Sequence, residues 1–382
     1  MKFLVRWQML KRSWLERVNM APIKHGMRIF YMTTMVVSLV LCLPYMLGRN
    51  PSVEQLMSGL SKLSIIRGAA EDPKFTIPSN FQKEVRLEDV LAQASMPDKT
   101  VIITSLNEAW AANNSMIDIF LEGFHSGENI THLLRHLVIV CVDQKAYDRC
   151  VQLHPHCFQM KTSGIDFTAE KIFMTADFLK MMWRRIDFLG EVLQLGYSFI
   201  FSDGDILWLR DPFAVFSKNM DVQISTDQYR GRPFDVRNQS PNSGFLYVRS
   251  NNRTIEMYKY WYEARLRNPG KNDQHVLKAI LQEQDFGSQV GVKVQFFETL
   301  YFSGFCKVSQ DMRKVVTMHS NCCVGLENKL NDLRLSLDDW RLYKNTSHPV
   351  NEGNITQAPQ PNLWRAPSAC KNSFERLAPW AL

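Results

Sequence analysis

Dense apolar runs alternate with amphipathic stretches over most of the chain, and the alternation predicts strands and helices in turn. Thr100-Val101-Ile102-Ile103-Thr104-Ser105-Leu106 is β-branched and predicts a buried strand. Residues 113–124 carry apolar positions at helical spacing, and 136–142 read as the next strand. A helix over 147–153 follows, then a long helical region over 169–195 with Phe173, Phe178, Leu179, Met182 and Leu189 at helical spacing. Phe199-Ile200-Phe201 is a short buried strand that stops at a turn signal, Gly204. This order of strand and helix belongs to an α/β protein with a parallel sheet. Such sheets bind ligands beyond the carboxyl ends of their strands. Further on, 222–227 predicts a strand ending in a carboxylate, a polar turn at 240–244 feeds another strand, and 254–266 predicts a helix. Within that helix Met257, Tyr258, Tyr260 and Trp261 form an aromatic cluster better suited to core packing than to stacking on a ligand.

The first eighty-odd residues follow a different pattern. Residues 29–48 hold no charge, and at helical rise they span roughly 30 Å, the thickness of a bilayer core. Ahead of them stand Lys2, Arg6, Lys11, Arg12, Arg17, Lys24 and Arg28 against Glu16 alone. That flank predicts a type II signal anchor, with the basic end in the cytosol and the body in a lumen. The length of the run and the lack of a small-residue cleavage site count against a cleaved signal peptide. The predicted organisation is a cytosolic tail (1–28), a transmembrane segment (29–48), a Pro- and Gly-punctuated stem (49–88) with a short helix near 53–63, and a single body (89–382). The formal net charge of +7 resides almost wholly in the tail, which excludes a nucleic-acid-binding body.

Lumenal placement has two consequences. All six Asn-X-Ser/Thr sequons (Asn113, Asn129, Asn238, Asn252, Asn345 and Asn354) follow the anchor, and Pro241 makes Asn238 a poor acceptor. Seven cysteines follow it too, an odd number that leaves at least one thiol unpaired and a connectivity the sequence does not determine. The adjacent Cys322 and Cys323 have no second set of zinc-spaced ligands.

Candidate chemistry starts where the strand at Phe199 ends. Asp203 and Asp205, one residue apart around Gly204, predict two carboxylates on one side of an extended backbone. Hard oxygen ligands in that place suit Mg²⁺ or Mn²⁺. In Val315-Val316-Thr317-Met318-His319 a strand delivers an imidazole that completes such a shell, and Gly325 and Lys329 beyond it suit a phosphate. Asp227, Asn242 and Ser243, the last followed by Gly244, cluster hydrogen-bonding groups around a strand end and a turn, although turn chemistry alone accounts equally well for Asn242. Asp273 stands beside a helix start, where capping is the plain alternative, and His275 reads as a packed helix residue. Arg184 and Arg185 either meet a phosphate or lie solvated; the sequence does not separate these.

The stretch Ser202-Asp203-Gly204-Asp205-Ile206-Leu207-Trp208-Leu209-Arg210-Asp211-Pro212 resembles the metal-binding signature of plant nucleotide-diphospho-sugar transferases, and the resemblance runs from about Val101 to about Tyr343. That family includes the extensin arabinosyltransferases and the rhamnogalacturonan-II xylosyltransferases. The resemblance implies a GT-A-type, Rossmann-like mixed sheet flanked by helices, and retaining transfer of a sugar from a UDP-sugar with Mn²⁺ or Mg²⁺. It makes Asp203, Asp205 and His319 the metal ligands and Asp227, Asn242, Ser243 and Gly244 the donor-sugar pocket. It places Asp273 and Gln274 at the anomeric carbon and leaves open whether Asp273 attacks or only stabilises. The loop from His319 to Gly325 is longer than in glycogenin-like enzymes, which weakens the carry-over to Gly325 and Lys329. Together with the anchor and sequons, the resemblance implies a Golgi membrane enzyme acting on a cell-wall glycan or glycoprotein acceptor. A catalytically inactive relative serving as a scaffold or carbohydrate-binding subunit is the alternative, and the intact Asp203, Asp205, Asp273 and His319 argue against it.

Overall fold

The computed structural model describes residues 85–161, 175–347 and 364–377. Contacts divide the chain into two units, Met1–Phe81 and Gln82–Leu382. The first unit, with the expected anchor (29–48) and the short stem helix, lies outside the described residues. No described helix is long and apolar enough to cross a membrane.

The second unit is a mixed α/β fold in which parallel strands dominate. It opens with α1 (Leu87–Ala94), β1 (Thr100–Leu106), α2 (Glu108–Ala111) and α3 (Met116–Ser126). Then come β2 (Leu137–Cys141), α4 (Gln144–Leu153), β3 (Cys157–Gln159), α5 (Ala176–Gln194), β4 (Ser198–Ser202), β5 (Ile206–Trp208), β6 (Val222–Thr226) and β7 (Pro241–Val248). The chain continues through α6 (Asn252–Ala264), α7 (Asp273–Gln282), α8 (Phe286–Val290), β8 (Val294–Phe296), β9 (Phe302–Gly304) and β10 (Thr317–His319), and closes with α9 (Leu326–Ser347) and α10 (Ser368–Leu377). The main sheet has the order β3-β2-β1-β4-β7-β6-β8, and only β7 runs against its neighbours. The carboxyl ends of β4 and β6 and the amino end of β7 therefore share one edge.

Strand alternation decides which side chains go to which face. Val101, Ile103, Phe199 and Phe201 join one apolar cluster with α5, α6 and α7, while Ile102 and Ile200 join the other with α3. Trp261 and Tyr258, as expected, are buried core residues. A second sheet, β5-β10-β9, shares a third cluster with α9 through Leu207, Met318, Leu333 and Trp340. Of its three strands only β10 is anticipated, by the apolar run that ends at His319; β5 and β9 are too short to show a period. Helix boundaries differ from the spacing by a few residues: α3 starts after Asn113 and Asn114, where Asn114 takes φ 59° in a turn, and runs on to Ser126, while α4 already starts at Gln144. The part of the expected 169–195 helix before Thr175 lies outside the described residues; α5 covers the remainder, with Thr175 as its cap.

Three disulfides join Cys150 to Cys157, Cys306 to Cys322 and Cys323 to Cys370, and Cys141 is a buried free thiol. The neighbours Cys322 and Cys323 are thus bound in opposite directions, one to the loop after β9 and one to α10 in the C-terminal tail.

Candidate active site

Asp203 and Asp205 sit in the turn between β4 and β5, not on one face of an extended strand as their spacing predicts. The turn is tight because Gly204 lies against Leu106 and Trp110: a Cβ there would come within 3.3 Å of both side chains. The Asp203 N–H donates to the Gly244 carbonyl across the β4–β7 pair (2.6 Å). Asp205 is fixed from the second sheet. Antiparallel pairing puts His319 opposite Ile206, next to Asp205, so that His319 Nε2 stands 3.3 Å from Asp205 Oδ1. The Ser320 N–H donates to the Asp205 carbonyl (3.1 Å), and Ser320 Oγ donates to Asp205 Oδ2 (2.8 Å). Lys329, from the first turn of α9, donates to the same oxygen (2.5 Å).

Asp203, Asp205 and His319 offer ligand atoms that all lie within 4.8 Å of one another. Buried Asp205 Oδ1 has no hydrogen-bond donor aligned on it, despite the nearby imidazole. An unpartnered buried carboxylate oxygen facing a second carboxylate and an imidazole fits a divalent cation. Burial acts to raise the Asp205 carboxyl, but Lys329 and His319 outweigh it and hold the group below the usual carboxylate range. Burial, and then Asp205, push Asp203 up in spite of Arg185. Burial lowers His319, yet Asp205 and Asp203 outweigh it and keep the imidazole above its ordinary value.

On the other side of Gly244 lies a polar cradle. Asn242 Nδ2 donates to Asp227 Oδ1 (2.7 Å), Gln274 Nε2 lies 3.5 Å from Asp227 Oδ2, and Gln274 Oε1 accepts from the Ser243 N–H (3.3 Å). Gly244 is required between cradle and metal group. A Cβ there would lie 2.5 Å from Asp203 Oδ2, 2.7 Å from His319 Cε1 and 2.9 Å from Asn242 Oδ1.

Asp273 is not the cap of α7: Asn272 takes that role, its side chain accepting from the His275 N–H (2.9 Å). Asp273 instead turns inward, buried, with its carbonyl accepting from Trp261 Nε1 (2.9 Å). His275 is exposed rather than packed. The two arginines that sequence leaves undivided take separate fates. Arg184 pairs at the surface with Asp187 and Glu191 (2.8 Å each). Arg185 is buried beneath the site, donating through Nη1 to Asp203 Oδ1 (2.8 Å) and through Nη2 to Asp273 Oδ2 (2.6 Å). Ser243 Oγ donates to that same Asp273 oxygen (2.8 Å), and the guanidinium lies 4.7 Å from the Phe201 ring centroid. Arg185 thus joins the metal group to the cradle through a single buried cation.

Gly325, at φ 93°, opens the first turn of α9, the turn that carries Lys329. Two contributors went unread in the sequence, Ser320 and Asn321, because their loop looked like ordinary polar turn chemistry. A lone polar residue after His319 carries no signal until the β10–β5 register fixes where it points.

Residues 132–333 match the nucleotide-diphospho-sugar transferase family. An uncharacterized protein of Arabidopsis thaliana is 48% identical over 290 residues, covering 76% of this chain and 74% of that relative. The UDP-D-xylose:L-fucose alpha-1,3-D-xylosyltransferase 1 of Arabidopsis thaliana is 22% identical over 317 residues, covering 75% of this chain and 85% of its own length. Among solved structures, a glycosyltransferase involved in glycosylation of the major capsid of PBCV-1 aligns with a TM-score of 0.36 at 8% identity, over 62% of this chain and 98% of that one.

Proposed function

The chain belongs to the nucleotide-diphospho-sugar transferase family, and from that premise we propose that it is a metal-dependent, retaining glycosyltransferase on a GT-A-type fold. It moves a pentose, xylose or arabinose, from a UDP-sugar to a cell-wall glycan or glycoprotein. The observation that carries this reading is the meeting of Asp203, Asp205 and His319, with Asp205 Oδ1 left without a donor, beside the cradle of Asp227, Asn242 and Gln274. The relative that uses UDP-D-xylose supports xylose as the first donor to test.

Asp203, Asp205 and His319 hold Mn²⁺ or Mg²⁺, which when bound supplies Lewis-acid stabilisation of leaving-group charge. Lys329 and the backbone opened by Gly325 at the start of α9 receive the diphosphate, since helix amino termini attract anions. Asp227, Asn242, Ser243, Gly244 and Gln274 bind the sugar hydroxyls. Asp273 is a fixed negative charge below that pocket. With one carboxylate oxygen already taken by Arg185 and Ser243, it is better placed to stabilise positive charge at the anomeric carbon than to attack it. Gln274, less buried, presents its amide to the pocket.

UDP release from UDP-xylose, measured with and without Mn²⁺, tests the function. Wild type is expected to turn over only with metal, and Asp205→Asn, which keeps the side-chain volume, to lose about a hundredfold or more. Wild-type rates in Asp203→Asn and Asp205→Asn, or turnover unaffected by a chelator, would overturn the metal assignment. The compartment we propose is the Golgi lumen, behind a type II anchor at 29–48. The exposed sequon residues Asn113, Asn129, Asn252 and Asn345 and the three disulfides support it. Endoglycosidase should then shift the protein on a gel, and intact vesicles should shield the body from protease; accessibility to protease would refute this topology.

A further inference from the structure

Asn321 joins the metal side of the site to the sugar side, and we infer that it is a positioning residue that lets the site hold a nucleotide sugar more tightly than the nucleotide alone. The inference rests on the sugar-nucleotide reading above. Asn321 lies two residues beyond His319, in the loop between β10 and α9. Its Nδ2 donates to Asp227 Oδ1 (2.8 Å), and its Oδ1 accepts from the Cys306 N–H (3.0 Å). Behind the amide lies Gly304 of β9, where a Cβ would come 2.4 Å from Asn321 Oδ1 and 2.8 Å from Nδ2. Only glycine lets the amide lie flat there. Cys306 is itself bonded to Cys322, the residue after Asn321, so backbone and disulfide grip the oxygen end of this amide and aim its nitrogen.

The target of that nitrogen is the informative part. Asp227 meets three neutral amides, Asn321 and Asn242 on Oδ1 and Gln274 near Oδ2, and no ion pair with it is found among the described residues. A cation would occupy the carboxylate and quench its charge. Neutral amides fix its plane while leaving acceptor positions for donor hydroxyl groups. The terminal torsion of an aspartate is broad, so a carboxylate that loses one of its fixed donors is held less firmly in its plane. Without Asn321, Asp227 keeps Asn242 on one oxygen and a long contact on the other. The sugar then loses a set acceptor, while the metal group and Lys329, which bind the nucleotide, keep all their contacts.

The test compares UDP and UDP-xylose binding by calorimetry with Mn²⁺, alongside KM and kcat. Asn321→Asp keeps the size that Gly304 tolerates and replaces the donor with a second carboxylate. Its UDP-xylose affinity is expected to fall about tenfold or more, the loss of a hydrogen bond to a charged group, with UDP affinity essentially unchanged. KM rises accordingly. Asp227→Asn is expected to lose the same preference, and adding it to Asn321→Asp to lose little more, since Asn321 acts through Asp227; fully additive losses would overturn the inference. Should Asn321→Asp not fold, Asn321→Ser, too short to reach Asp227, is expected to show the same loss of preference. A lower melting temperature with an unchanged preference would make Asn321 merely structural and overturn the inference. Failure of wild type to bind UDP with Mn²⁺ would overturn the sugar-nucleotide reading instead.

Discussion

Arg185→Met is the substitution from which the structure demands most. The side chain of Asp273 is 3% exposed and that of Asp203 28% exposed, and Arg185 is the cation that holds both. Removing one partner of a buried ion pair costs about 3–5 kcal/mol, because the other charge stays buried and unpaired. Asp273 should account for nearly all of this. Asp203, nearer to solvent and to Lys329, adds at most about 1 kcal/mol. Methionine preserves much of the volume, so a cavity contributes little. We expect urea denaturation of the metal-free protein to show a loss of about 3–5 kcal/mol, within the marginal stability of a typical domain. Two controls identify the cause. Mn²⁺ should restore only part of the loss, since it relieves Asp203 and leaves Asp273 alone. Adding Asp273→Asn should recover more, since it removes the orphaned charge, and the two changes should be strongly non-additive. A loss below about 1 kcal/mol in Arg185→Met would refute the reasoning, for it would mean that burying Asp273 does not depend on this cation.

Two further outcomes follow from the same geometry. Gly244→Ala should cost about 1–3 kcal/mol of stability, because its methyl group reaches Asp203 and His319 at 2.5 and 2.7 Å. Its larger effect should be on Mn²⁺ titration, and an affinity equal to wild type would show that the ligands part without cost. Burial lowers the His154 imidazole below its ordinary 6.5, with neighbouring His156 adding to the effect, and its Nε2 lies 2.7 Å from the Leu137 carbonyl. A depressed imidazole binds its proton more readily in the unfolded chain, so stability should hold above about pH 6.5 and decline as the pH falls below it. His154→Gln should flatten that decline without abolishing it, since His156 is also lowered; an unchanged slope in denaturation midpoints between pH 7.5 and 5.5, the range about the ordinary histidine value, would remove His154 from the account.

What the sequence made legible depended on how much of each element is buried. β1, β4 and β6 announce themselves because they are apolar or β-branched along most of their length, and Asp203 and Asp205 stand out because two charges interrupt such a run. The strand that carries His319 was legible in Val315 to Met318, but β5 and β9 are three residues each, too short for any period, so the sheet that brings His319 to Asp205 was not. Arg184 and Arg185 differ by one position on a helix, and only the packing of α5 decides which is buried. Asn272 and Asp273 are both good caps, and side-chain chemistry alone does not say which one turns inward. Asn321 was missed for a related reason: its meaning lies in Gly304 and Cys306, more than a dozen residues upstream.

The paired cysteines at 322 and 323 also set a condition on how this protein can be made. Because the two are consecutive, exchanging their partners would slide the loop by one residue against both the β9 side and α10, and a one-residue slip would carry Asn321 away from Asp227. A mispaired chain could keep its main sheet, which owes nothing to these bonds, and pass for native by size and secondary structure. Isomerisation, and not only oxidation, is therefore the step that separates native from decoy. Recombinant material from a reducing host should be judged by thiol mapping before its inactivity is charged to the wrong sugar.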